Sequence, residues 1–131
     1  MHSRSILTLD DNRDISSLIT RSLQRCGFSV IGFTDPHLAL KDFEMNVTKY
    51  VLVISDFRMP GMNGIEFAIK IKEIKPDIKI LLMTAFEINN QELKNVISSV
   101  KVDEFISKPI LMSKLNVIVE KYVSIMENQM Q

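Results

Sequence analysis

Short apolar runs alternate along this chain with stretches in which apolar residues recur every three or four positions. The first run, Ser5–Leu9, predicts a strand that stops at Asp10-Asp11-Asn12. Ile15, Leu18, Ile19, Leu23 and Cys26 then fall on one face of a helix. Asp11 or Asn12 can cap its start, and Gly27 is placed to end it. Phe28–Phe33 alternates in part, as an edge strand does, and Thr34-Asp35-Pro36 opens a second helix that runs to about Asn46. Tyr50–Ser55 carries four consecutive aliphatic residues, the pattern of a strand buried on both faces. Gly64 opens a third helix that ends near Lys75-Pro76. Ile78–Met83 is a fourth strand ending in Thr84-Ala85, and Val102–Ser107 a fifth ending in Lys108-Pro109. Leu93, Val96, Ile97 and Val100 predict a fourth helix, capped by Asn89 or Asn90. Leu115, Ile118, Val119, Tyr122 and Met126 predict a last one. The segment from about Ile125 to Gln131 reads as a polar tail that frays.

Five β-α units in succession imply an α/β fold, a parallel sheet with helices on both faces and right-handed crossovers. The length of 131 residues suits one domain, expected over residues 1–124, with the tail at 125–131. Lys+Arg and Asp+Glu are equal in number, so the formal net charge is zero and no nucleic-acid or anionic-membrane surface is expected. The single cysteine, Cys26, cannot form an internal disulfide, which fits a reducing compartment. It is expected to pack within its helix face. Apolar runs of four or five residues are too short to span a membrane. Met1-His2-Ser3-Arg4 leads straight into a strand, so no signal peptide is expected and the location is expected to be cytoplasmic.

The residues that follow the strands carry the candidate chemistry. Strand one ends in Asp10-Asp11, strand three in Asp56, strand four in Thr84 and strand five in Lys108. In a doubly wound parallel sheet those ends share one edge, where such folds bind ligands. Two carboxylates about 4 Å apart repel by roughly 4 kcal/mol at an effective dielectric of about 20. Lys108 offsets one charge among three, so a divalent cation is expected. Oxygen ligands favour a hard ion such as Mg²⁺, which also takes phosphate oxygens readily. With that ion bound, Asp56 is a candidate nucleophile towards phosphorus. Lys108 and the metal would stabilise the transferring group, and Thr84 would donate to one of its oxygens.

Taken singly, these residues have plainer readings. Asp10-Asp11 could be a helix cap, Asp56 a loop acid, Lys108 a surface lysine, and Phe105 core. Their joint placement decides against coincidence for the acids and the lysine. His2 and His37 read as surface residues and the methionines mostly as core filler.

The set Asp10-Asp11, Asp56-Phe57-Arg58-Met59-Pro60 with Gly64, Thr84-Ala85 and Lys108-Pro109, in order and at these intervals, resembles the response-regulator receiver domain of two-component signalling. The resemblance covers nearly the whole chain. It implies a single CheY-like, flavodoxin-like (βα)5 domain with strand order 2-1-3-4-5. It implies that Asp56 accepts a phosphoryl group from a phosphohistidine of a sensor histidine kinase or phosphotransfer protein. It implies that Asp11, Asp56 and the backbone carbonyl of Arg58 bind Mg²⁺ (or Mn²⁺), with Asp10 helping through water. Lys108-Pro109 would be cis, and Lys108 would contact phosphoryl oxygens. The switch would join Thr84 to Phe105, three residues before the lysine, and reshape the face of helix four, strand five and helix five for a downstream protein. Arg58 and Phe86 fall where the family tunes hydrolysis of the phosphoaspartate.

Three departures stand out. Lys101-Val102 replaces a usual small pair, the segment from Thr84 to Lys108 is slightly long, and Phe105 lacks the hydroxyl of the commoner tyrosine. The expectation is a signalling receiver, monomeric or weakly dimeric, that turns over no external substrate. It is either a stand-alone protein or a piece of a longer regulator. The rivals are a phosphorylation-independent interaction module, a small phosphohydrolase and a flavin binder. The acidic Asp10-Asp11-Asn12 is the wrong charge to cradle the flavin's phosphate.

Overall fold

The computed structural model of the chain describes residues 4–85, 91, 94, 95 and 100–129. Five strands form one parallel sheet in the order β2-β1-β3-β4-β5. They are β1 (Ser5–Leu9), β2 (Val30–Phe33), β3 (Tyr50–Asp56), β4 (Lys79–Thr84) and β5 (Glu104–Ser107). The helices are α1 (Arg13–Arg25), α2 (Pro36–Met45), α3 (Gly64–Ile74) and the C-terminal α4 (Met112–Gln129). Of the expected helix near residues 89–100, only Gln91, Lys94, Asn95 and Val100 are among the described residues; the first three are helical and exposed, and Val100 is buried.

The continuous aliphatic run places β3 at the centre of the sheet, paired with β1 through Leu7–Val53 and with β4 through Val53–Ile80. All seven of its residues are buried. One face of the sheet packs Leu7, Val53 and Leu82 against Phe43 of α2 and Phe67 and Ile71 of α3. The other packs Ile6, Ile54 and Met83 against Ile19 and Leu23 of α1 and Leu115, Val119 and Met126 of α4. Alternation along each strand, with both faces covered, is what makes these segments read as unbroken apolar runs.

The helix ends obey local chemistry. Asn12 caps α1 by accepting from Asp14 and Ile15 backbone N–H groups. At the other end the Gly27 N–H donates to Gln24 O, and the Phe28 N–H to Leu23 O, with Gly27 at φ +95. That is a Schellman closure, and it holds Phe28 back to the helix, so β2 begins at Val30 and not at Phe28. Likewise β5 begins at Glu104 and not at Val102. The Asp103 side chain accepts from the Ile80 N–H at 2.8 Å and so takes the place of a ladder acceptor.

Three expectations change. Cys26 is exposed, because it is the C-cap residue, beyond the helical turns that cover the sheet. Leu18 is 56% exposed, because the buried stripe of α1 runs through Ser16, Ile19 and Leu23. The segment expected to fray is helical to Gln129, because Met126 is 1% exposed and anchors its last turns. Among the described residues no helix is long and apolar enough to cross a membrane.

Met126→Ala is therefore expected to cost about 2–5 kcal/mol, the range for emptying a buried methionine site. Urea denaturation followed by circular dichroism measures it. A cost below about 0.5 kcal/mol, typical of exposed positions, would mean that this turn does not pack.

Candidate functional site

Strands β1, β3, β4 and β5 each deliver one polar residue to the same end of the sheet. Asp10 follows β1, Asp56 ends β3, Thr84 ends β4 and Lys108 follows β5. Asp10, Asp56 and Thr84 are 1%, 7% and 1% exposed, so the sheet edge buries groups that would ordinarily be left in water.

The ammonium of Lys108 spans two of the acids. Its Nζ lies 3.1 Å from Asp56 Oδ1 and 3.2 Å from Asp10 Oδ2. Asp10 Oδ1 accepts in addition from the Asn12 N–H at 2.9 Å. Asp11, exposed, completes the acidic group: Asp10, Asp11 and Asp56 each offer an oxygen within 4.8 Å of the others. Three carboxylates and one ammonium leave net negative charge at the rim. Burial pushes the Asp56 carboxyl up from its usual value. The Lys108 hydrogen bond works against this, and the charges of Asp10 and Asp11 reinforce it. Burial pulls Lys108 down, but its hydrogen bond to Asp56 and the charge of Asp10 outweigh burial and leave it raised. The pair is not a simple ion pair, in which the acid would be lowered. Lys108 is shared, and Asp56 retains uncompensated repulsion.

That donor set, oxygens only and in excess of positive charge, fits a hard divalent cation. A cavity of about 350 Å³ adjoins it, lined by Asp56, Phe57, Arg58, Thr84, Ala85 and Lys108. Its size suits a phosphoryl group with its coordinating waters.

The loop after Asp56 is held at both ends. The Phe57 N–H donates to Met83 O at 2.8 Å, and the Gly64 N–H donates to Phe57 O at 2.8 Å. Asn63 caps α3 through the Ile65 and Glu66 N–H groups. A Cβ at Gly64 would stand 2.4 Å from Asp56 O and 2.9 Å from Phe57 Cα, both backbone atoms. Only glycine lets α3 come this close to the acid. On the far side, the Lys108 N–H donates to Thr84 O at 2.8 Å, and Lys108-Pro109 is cis.

Thus Asp10, Asp11, Asp56 and Lys108 come together, and Arg58 and Thr84 share the cavity with Asp56. Phe105 does not line it. Its ring is half-buried against the core on the α2–α3 face and lies 6.5 Å from the Phe57 ring. Phe86 lies outside the described residues. Two features escaped the sequence reading. One is the Phe57–Phe105 pair, since nothing in the spacing of residues 57 and 105 signals a contact. The other is an apolar groove of about 490 Å³ bordering Lys108, formed in part by Ile15, Leu18, Pro109, Ile110 and Met112. Helical spacing put Leu18 on the buried face of α1, so the sequence held no signal for the groove; its 56% exposure reveals it.

Comparison with known proteins adds the following. The family model of the response regulator receiver domain matches residues 6–120. The regulator PhoP of Bacillus subtilis is 30% identical over 87% of this chain and 46% of its own length. CpdR of Brucella abortus, a response regulator receiver protein, is 31% identical over 63% of this chain and 68% of its own. The response regulator TrrA of Thermotoga maritima, solved in complex with Mg²⁺-BeF, is 33% identical with a TM-score of 0.78, over 91% of this chain and 98% of its own. A receiver domain protein of Methanospirillum hungatei, 21% identical over 96% of this chain and 98% of its own, shares the fold at a TM-score of 0.87. The chain spans 23% of DctD of Rhizobium meliloti and under half of PhoP.

The raised Asp56 carboxyl gives a stability prediction for the metal-free protein. Where the folded state holds a carboxyl above its unfolded value, the favourable contribution is full below the unfolded pKa and fades as pH rises through the folded one. At pH 7 in EDTA, Asp56→Asn should therefore melt a few degrees above the unmutated protein. The gap should close as pH falls well below the ordinary aspartate value of about 3.9, where the Asp56 carboxyl is protonated in the folded and unfolded states alike. Thermal melts across that range test it, and a lower melting temperature for the variant at pH 7 would contradict the charge balance described.

Proposed function

The chain belongs to the response-regulator receiver family, and from that premise we propose that it is a phosphorylatable switch in which Asp56 accepts a phosphoryl group from a phosphohistidine. The observation that carries this reading is the meeting of Asp10, Asp11 and Asp56 within 4.8 Å, with Lys108 between two of them. A charge arrangement so costly to the resting fold has a use when a cation and a phosphoryl group arrive.

Asp11, Asp56 and the Arg58 carbonyl would hold Mg²⁺ (or Mn²⁺), with Asp10 reaching it through water. Bound there, the ion would offset the acids and draw charge from the phosphoryl oxygens. An Asp56 oxygen attacks phosphorus in line, and the O–P bond forms as the P–N bond of phosphohistidine breaks. The electron pair stays on the departing imidazole nitrogen. Lys108 turns from Asp56 to a phosphoryl oxygen, and the Thr84 hydroxyl donates to another. Water later cleaves the acyl phosphate, so the protein resets itself and turns over no external substrate. Arg58 and Phe86 would tune that water's path.

The donor is a sensor histidine kinase or a phosphotransfer protein. The apolar groove of Ile15, Leu18, Pro109, Ile110 and Met112 abuts the site and gives such a protein somewhere to seat. The output is a changed Thr84–Phe105 arrangement, read by a downstream protein at the face of the helix near 89–100, β5 and α4. That is a shift between two states, biased by a group that bonds better in one.

Two measurements test this. With a small phosphodonor and Mg²⁺, Asp56→Asn should abolish labelling. Equal labelling of variant and unmutated protein would refute the assignment, and an amide spectrum unmoved by Mg²⁺ and beryllofluoride would favour a phosphorylation-independent module. Leu18→Asp should slow transfer from a protein donor at least tenfold and leave labelling by the small phosphodonor unchanged. Equal slowing of both would place Leu18 in the chemistry and not in docking.

A further inference from the structure

Phe57 occupies an unusual mechanical position. It follows Asp56 directly, and its two backbone polar groups are both taken by neighbouring elements, the N–H by Met83 O of β4 and the C=O by the Gly64 N–H of α3, each at 2.8 Å. Its backbone therefore cannot shift without moving the acid, the strand that ends in Thr84, or the start of α3. The close approach at Gly64, where a Cβ would fall 2.9 Å from Phe57 Cα, removes the remaining slack.

The side chain points to the other part of the switch. The Phe57 and Phe105 rings are 6.5 Å apart and inclined at 51°, within the range of favourable tilted aromatic pairs. Both are half-buried against the same core cluster on the α2–α3 face of the sheet. Phe105 pairs with Leu82 across the β4–β5 ladder, two residues before Thr84. One residue thus touches the acceptor through the chain, β4 through a hydrogen bond, and Phe105 through its ring. Packed interiors transmit displacement because they hold few voids to absorb it.

We infer that Phe57 is a positioning residue that couples the state of Asp56 to the state of Phe105 by direct ring contact. The route is separate from the movement of Thr84, and it takes over a link that a residue without a side-chain hydroxyl at position 105 cannot make by hydrogen bonding. The inference rests on the reading of Asp56 as the phosphoryl acceptor, and it adds a named residue to the path out of that site.

Coupling is reciprocal, so it can be read as ligand affinity. Beryllofluoride in Mg²⁺ is the probe, and its dissociation constant is measured by NMR for the unmutated chain, Phe57→Leu, Phe105→Leu and the double variant. Phe105→Leu should change the affinity about fivefold in the unmutated background and less than twofold in the Phe57→Leu background. Phe57→Tyr, which keeps the ring, should restore the fivefold effect, whereas a role in filling space alone would be met by leucine. In the unmutated protein the ring resonances of Phe57 and Phe105 should move together along the titration. This arm needs no variant and stands if Phe57→Leu fails to fold. An equal effect of Phe105→Leu in both backgrounds, no effect in either, or a Phe105 ring that moves while Phe57 does not, would overturn the coupling and leave Asp56 as acceptor. No binding of beryllofluoride by the unmutated protein would instead remove the acceptor reading.

Discussion

Everything at the functional end of this molecule depends on one ammonium group held between two buried acids. Lys108 lies 3.1 Å from Asp56 and 3.2 Å from Asp10, and a third acid, Asp11, stands close by. One positive charge cannot satisfy three negative ones. The fold tolerates the deficit because a parallel sheet brings the carboxyl ends of its strands together whatever their side chains are. Burial of apolar residues on both faces of β3 fixes where those ends fall, and the polar rim has to accept the result. The site is thus a place where core packing sustains an electrostatic arrangement that is unfavourable by itself.

Much of this was legible in the sequence, for a physical reason. Strands buried on two faces leave uninterrupted apolar runs such as Val51–Ile54, and the first polar residue after each run marks the sheet edge. That rule points to Asp10 and Thr84 directly and to Asp56 and Lys108 one residue past Ser55 and Ser107; the structure sets Lys108 within 3.2 Å of Asp10 and 3.1 Å of Asp56, and Thr84 in the cavity beside Asp56 and Lys108. The element ends were harder to read. Phe28 and Val102 have strand-like side chains, yet a Schellman turn and the Asp103 carboxylate take over the hydrogen bonds that would have made them strand residues. Leu18 and Cys26 satisfied helical spacing but lie beyond the contact between α1 and the sheet. Periodicity reports which residues share a side of a helix, and not how much of that side finds a partner. The same limit applies to Met126, whose burial extends α4 through a segment whose composition suggested a tail.

Contacts between apolar side chains on different elements had no such sequence signal. The pair Phe57–Phe105 depends on the stagger of β3, β4 and β5 and on how closely α3 approaches β3. Gly64 sets that approach, and a glycine after a Pro-Gly turn would ordinarily be assigned to turn geometry. Its backbone lies in the helix, so conformational freedom is not what it supplies. It supplies the absence of a Cβ against Asp56 O.

The phenylalanine at position 105 ties these points together. A tyrosine there could report a change through its hydroxyl, reaching a polar partner at a distance. A phenylalanine has only shape, so any signal it carries must come through groups in van der Waals contact with it. Phe57 meets that requirement, and its own backbone is fixed to β4 and α3. A switch built on ring packing is less directional than one built on a hydrogen bond, and it needs tighter surroundings to give two distinct states. The close contact at Gly64 and the backbone bonds of Phe57 supply that tightness immediately beside the acid. The absent hydroxyl and the crowded loop are then two sides of one constraint.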